Sequence, residues 1–219
     1  MFAPCLCHVF PGRRQKKKGT NENLSKITLA AAALALLGIA AALAHGDKGE
    51  HPETRWKTLV IDVAVDARTG SVNSASPTDT EPKRGATAIL NGKIYPGGTL
   101  PPGGTLFGGD GLDIDTLTGS IGTWITRETF NVDLSQIVAG AHPALSATQY
   151  YLFSPTGVSD GEEALFSEGP EFGATTHRVV LGGTGRYRGV IGEVQEETLG
   201  FNSTGFANKR YTFQIRMPE

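Results

Sequence analysis

The stretch Leu181-Gly-Gly-Thr-Gly-Arg-Tyr-Arg-Gly-Val-Ile-Gly-Glu193 limits most sharply what this chain can fold into. Three glycines in four positions (Gly182, Gly183, Gly185) cannot lie inside a helix, where each costs about 1 kcal/mol against alanine. They suit a tight turn between two strands, at positions that need positive φ. A phosphate cradle would instead open a helix after a strand. Val190, Ile191 and Val194 show no 3.6-residue stripe, and no Walker-type Lys-Ser/Thr pair follows. Nucleotide binding is therefore not expected.

Alternation of apolar and polar residues extends the strand reading along the chain. Strands are predicted at Trp56–Val65, Ala86–Ile94, Ser120–Leu134, Ala147–Ser154, Glu163–Ser167, His177–Leu181, Val190–Leu199 and Tyr211–Met217. In the third, Trp124, Thr126, Glu128, Phe130 and Val132 share a face, opposite Ile125, Arg127, Thr129 and Asn131. In the last, Tyr211, Phe213, Ile215 and Met217 oppose Arg210, Thr212, Gln214 and Arg216. Arg68–Lys83, rich in Ser, Thr, Asp and Pro, is predicted as a loop, and Tyr95–Gly111 as a long loop across one barrel mouth. About eight strands with turn signals between them, and no convincing helix after residue 44, predict an all-β antiparallel barrel or sandwich.

The glycine turn, its Gly-containing strand, the Thr204-Gly-Phe-Ala hairpin and the closing strand resemble the last strands of the allene oxide cyclase and dirigent protein barrels. The likeness is close over Arg178–Met217 and looser from Trp56 to Glu171. It implies an eight-stranded antiparallel barrel of allene oxide cyclase/dirigent-like type, which has room for one small ligand. It further implies a pocket-lining aspartate on the first strand, a position held here by Asp62. Departures are plain. Val60-Ile-Asp-Val-Ala replaces the Glu-x-Asn pattern of the plant cyclases, and no cysteine follows residue 44. Where dirigent proteins place an arginine after the turn, Val190-Ile191-Gly192 stand, with Arg188 nearby.

The first 44 residues read as a secretory signal peptide, with an over-extended start. Arg13, Arg14, Lys16, Lys17 and Lys18 precede an uncharged run, Ile27–Leu43, that ends in Ala42-Leu43-Ala44. The run is shorter than the ~20 residues that span a bilayer comfortably, so cleavage rather than a stable membrane anchor is expected. The predicted organisation is 1–44 leader, 45–55 flexible segment and 56–219 barrel, with a secreted product. Six of the 20 basic residues and one of the 22 acidic ones lie in the leader, leaving an acidic exported domain. Such a domain is a poor partner for nucleic acid. The expected partner is an apolar small molecule, and assembly with further copies of the chain stays open.

Catalytic signals are few. His45, Asp47, Glu50 and His51 cluster in the flexible segment, His142 precedes Pro143 and His177 stands alone, so no metal site is predicted. No Gly-x-Ser-x-Gly elbow supports a hydrolase, and no cofactor is expected. What remains is acids set in apolar strands. Asp62 lies between Ile61 and Val63, and Glu128 shares a face with Trp124 and Phe130. On an inward face Glu128 would be a desolvated general acid; on an outward one, an ordinary cross-strand partner of a Lys or Arg. Asp62 and Glu128 are the catalytic candidates, with Trp124, Phe130, Tyr150, Tyr211, Glu193 and Arg188 as substrate contacts. Two functions follow as expectations. One is a cofactor-free cyclase or isomerase that directs ring closure of an apolar, polyketide- or lipid-like molecule. The other is a lipocalin-like binding or structural barrel without turnover.

Overall fold

The computed structural model describes residues 55–154, 161–171 and 173–217. The leader and most of the flexible segment lie outside them. Eight strands form one closed antiparallel barrel in chain order: β1 Trp56–Asn73, β2 Thr87–Pro96, β3 Gly122–Phe130, β4 Leu145–Phe153, β5 Glu163–Glu171, β6 Thr175–Gly183, β7 Ile191–Phe201 and β8 Ala207–Arg216. Closure comes from β1 pairing with both β2 and β8, with Ile61 opposite Pro96 on one side and Tyr211 on the other.

The period-2 pattern has its physical basis in this closure: each strand sends alternate side chains inward. Ile61, Val63 and Val65 of β1 meet Trp124 of β3, Tyr151 and Phe153 of β4, Val194 of β7 and Tyr211, Phe213 and Ile215 of β8 in one core. Tyr151 packs edge-on against Tyr211 and Phe213, at centroid distances of 5.1 and 4.9 Å. The glycine turn between β6 and β7 caps that end. A Cβ on Gly183 would lie 2.4 Å from the Ala164 carbonyl and 2.5 Å from the Tyr187 Cβ, so only glycine fits there. The turn thereby lays Tyr187 over the barrel end, 5.3 Å from Phe153.

Two expectations are corrected. Arg68–Asn73 is strand rather than loop: β1 continues past a bulge between Asp66 and Ser71 to pair Val72 with Ala88. β3 ends at Phe130 instead of Leu134, and a short helix, α1 (Leu134–Val138), follows it where no convincing helix was expected. The backbone explains it, because the Asp133 N–H donates to the Gln136 side chain at 3.0 Å, starting a turn instead of a ladder. The segment 97–117 runs outside the barrel. Leu100 and Ile114 cover Ala64 and Tyr95, while Gly103 bridges Gly200 beside the β7–β8 turn.

Candidate active site

The interior divides in two. The half toward the β6–β7 turn is filled by the core just described. The half toward the β5–β6 and β7–β8 turns holds a cavity of about 550 Å³. Leu106, Leu145, Leu199, Phe201, Phe206 and Ala207 give it apolar walls, and Glu128, Glu171, Glu196 and Lys209 give it a charged floor.

The floor is the exposed edge of a buried polar layer contributed by β3 to β8. Lys209 donates to Glu171 and, at 2.9 Å, to Glu196. Arg178 donates to Glu196 and, at 3.0 Å, to the Gln149 side-chain carbonyl. That same carbonyl accepts from Tyr151 at 2.6 Å and from Trp124 at 3.3 Å, while the Gln149 amide donates to Glu171 at 2.9 Å. Gln149 is thus a hub that holds both carboxylates toward their cations. Burial opposes the charge on Lys209, but Glu171 and Glu196 more than offset it and keep the ammonium protonated. Burial likewise pushes Glu196 up, and Lys209 and Arg178 overcome that, holding it down at about 2. The Tyr151 and Tyr211 phenols are raised by burial and stay neutral.

Glu128 stands apart. It is 6% exposed, and among the described residues it makes no hydrogen bond and no ion pair. Its register partners on either side are Ala88 and Ala147, small residues that leave its carboxyl room. Desolvation first, and then the neighbouring Glu171 charge, push its pKa up to about 8. With Glu128 protonated, two carboxylates face two cations and the layer is neutral. An unpaired carboxylic acid at the floor of an apolar cavity can donate a proton or a strong hydrogen bond to a bound oxygen or nitrogen.

The residues singled out in the sequence separate by face. Trp124, Glu128, Phe130 and Tyr211 point inward. Trp124 and Tyr211 belong to the packed core, and Phe130 packs with Ile137 of α1 and Leu145 at the cavity end. Asp62 is buried but lies on the outer face, beneath segment 97–117. There it accepts the Leu100 N–H at 2.9 Å and pairs with Arg210 at 2.8 Å. This is a clamp that fastens the segment to the wall, and it lies away from the cavity. Tyr150 packs on Phe166 on the outer face, Glu193 is exposed beside Gln214, and Arg188 is exposed in the turn. Sequence reasoning missed Gln149, Glu171, Arg178, Glu196 and Lys209. Each is in phase with an apolar inward residue: Lys209 with Tyr211, Glu196 with Val194, Arg178 with Val180.

The chain matches no protein-family model and no curated protein. Among solved structures it is similar to a pterocarpan synthase dirigent protein, at 15% identity over 75% of this chain and 86% of that one, with a TM-score of 0.49. It is also similar to the Diels Alderase AbmU from Streptomyces koyangensis, at 16% identity over 90% and 84%, TM-score 0.44. A pyocyanin demethylase is similar at 13% identity over 73% and 99%, TM-score 0.43. At these identities no residue role passes from them to this chain.

Proposed function

We propose that this barrel is a cyclase or isomerase that folds a small, largely apolar molecule within the cavity and directs ring closure, with Glu128 as its proton donor. One observation carries the reading: a carboxyl without a partner among the described residues, kept protonated by burial and by the neighbouring Glu171, sits beside the paired charges at the floor of an apolar-walled pocket. A cavity of this volume is in the range that encloses a drug-sized ligand. Its walls restrict the substrate to few conformers, which is where intramolecular reactions gain most of their rate. The carboxylic acid adds a proton or a hydrogen bond to the substrate oxygen or nitrogen beside it, typically worth about 10²–10⁴-fold.

The chemistry assigned to this chain's residues needs no resident cofactor. Export after removal of residues 1–44 belongs to the same proposal. The experiment is incubation of the protein with conjugated polyenones, scoring products of unchanged mass but altered retention. Formation of such isomers, lost in Glu128→Gln, supports the reading. Stoichiometric binding without any isomer would replace it with a binding barrel.

A further inference from the structure

The charge inventory of the cavity points to the class of molecule it admits. Among the described residues two cations reach the polar layer: Lys209, which lines the cavity, is held by Glu171 and Glu196, while Arg178, which pairs with Glu196 and Gln149 and keeps an unpartnered Nε, does not line it. Three carboxyl groups of the described residues reach the cavity, and among those residues the third, Glu128, has no hydrogen-bond or ion-pair partner. An anionic ligand would find no uncommitted cation among the described residues that line the cavity, and would displace a Lys209 ion pair to gain one. A cationic ligand would find a carboxyl waiting, with Phe201 and Phe206 in the walls around it. Aromatic faces favour cations further.

We propose that the cavity is a site for a hydrophobic amine, a molecule with an apolar body and one protonated nitrogen that pairs with Glu128. The proposal rests on the reading of this cavity as the substrate site and changes the role of Glu128 within it. The group that takes the Glu128 proton is a basic nitrogen of the substrate, and the bound carboxylate then holds that nitrogen as its counter-ion while the apolar walls fold the rest of the molecule. Pairing has a proton balance. Glu128 enters as a carboxylic acid and leaves as a carboxylate, so one proton passes to solvent for each ammonium bound near neutral pH. The groups that face Glu128 and set this exchange are Glu171 on β5, Arg178 on β6, Glu196 on β7 and Lys209 on β8. Before binding their charges sum to zero. Afterwards the ammonium balances the new carboxylate, so neutrality is kept.

Three probes of one shape test it: naphthylmethylamine, naphthylmethanol and naphthoic acid, each titrated calorimetrically into the purified chain. Two buffers of different ionisation enthalpy are used at neutral pH. The amine should bind at least about tenfold more tightly than the alcohol, as expected for a desolvated charge pair. It should also release close to one proton, while the alcohol releases none. In Glu128→Gln, isosteric with the protonated acid, the ratio of amine to alcohol affinity should fall to about one and the proton release should vanish. Tighter binding of the acid, or amine binding without proton release, overturns the proposal. Binding of the alcohol with no preference for the amine overturns the amine class and leaves the cyclase reading standing. Failure of all three probes to bind overturns both.

Discussion

Replacing Glu128 with Gln should stabilise the protein increasingly as pH rises. The unfolded chain releases the glutamate proton near its ordinary value of 4.5, whereas the folded protein retains it until about 8. Below the lower value both states are protonated and the residue costs nothing. Between the two, folding must take up a proton that solution no longer supplies, so stability falls with pH and levels off above about 8. At about 1.4 kcal/mol per pKa unit, the wild-type protein loses roughly 4 kcal/mol through this one group between about pH 5 and about pH 9. Glutamine keeps the shape and the hydrogen-bond donor but cannot ionise. The difference between variant and wild type, followed by urea unfolding midpoints across that range, should therefore widen by several kcal/mol in favour of the variant. A difference that stays flat with pH would refute the reasoning, because Glu128 would then ionise as an ordinary glutamate does.

Other substitutions probe the remaining parts. Lys209→Met leaves Glu171 and Glu196 short of a buried cation and should cost about 3–5 kcal/mol in denaturant unfolding, with part of the loss recovered in acid. Asp62→Asn weakens the clamp to Arg210 and Leu100, and should lower stability by about 1–3 kcal/mol while turnover by the folded protein is unchanged. Gly183→Ala drives a methyl into the Ala164 carbonyl and the Tyr187 side chain, and should lower the melting temperature as overpacking does, at about 1–3 kcal/mol. If the leader is removed on export, intact mass of the secreted protein should begin at or near His45; full-length chain in the membrane fraction would contradict it.

The barrel was legible because closure forces alternation, and alternation survives in the order of residues. Tyr211, Phe213 and Ile215 declare an inward face without any partner being known. Asp62 shows where that logic fails. Two apolar neighbours in sequence lie on the opposite face of a strand, so they say nothing about what surrounds the residue between them. Its burial comes from segment 97–117, more than thirty residues on, and local sequence carries no trace of that covering. The run Glu193–Glu197 reads as a solvated edge, yet Glu193 and Glu197 face out while Glu196 faces Lys209 and Arg178. Arg178, Glu196 and Lys209 sit on the consecutive strands β6, β7 and β8, but their pairing depends on all three facing inward, and Lys209 reaches on to Glu171 of β5, which is no neighbour of β8 in the sheet. Helix α1 went unseen because five residues are too few to set a 3.6-residue stripe against a strand's alternation.

The filled half of the barrel has a kinetic corollary. Among the described residues, Tyr187, Phe153 and the aromatic core fill one end, and Glu128 is reached through the mouth ringed by Leu106, Phe201 and Phe206. If the barrel turns over a substrate as proposed, the product leaves by the path along which its precursor enters. A retained product then blocks entry outright, so inhibition by product should be strictly competitive, and residence time of the product, rather than the speed of ring closure, becomes the natural limit on turnover.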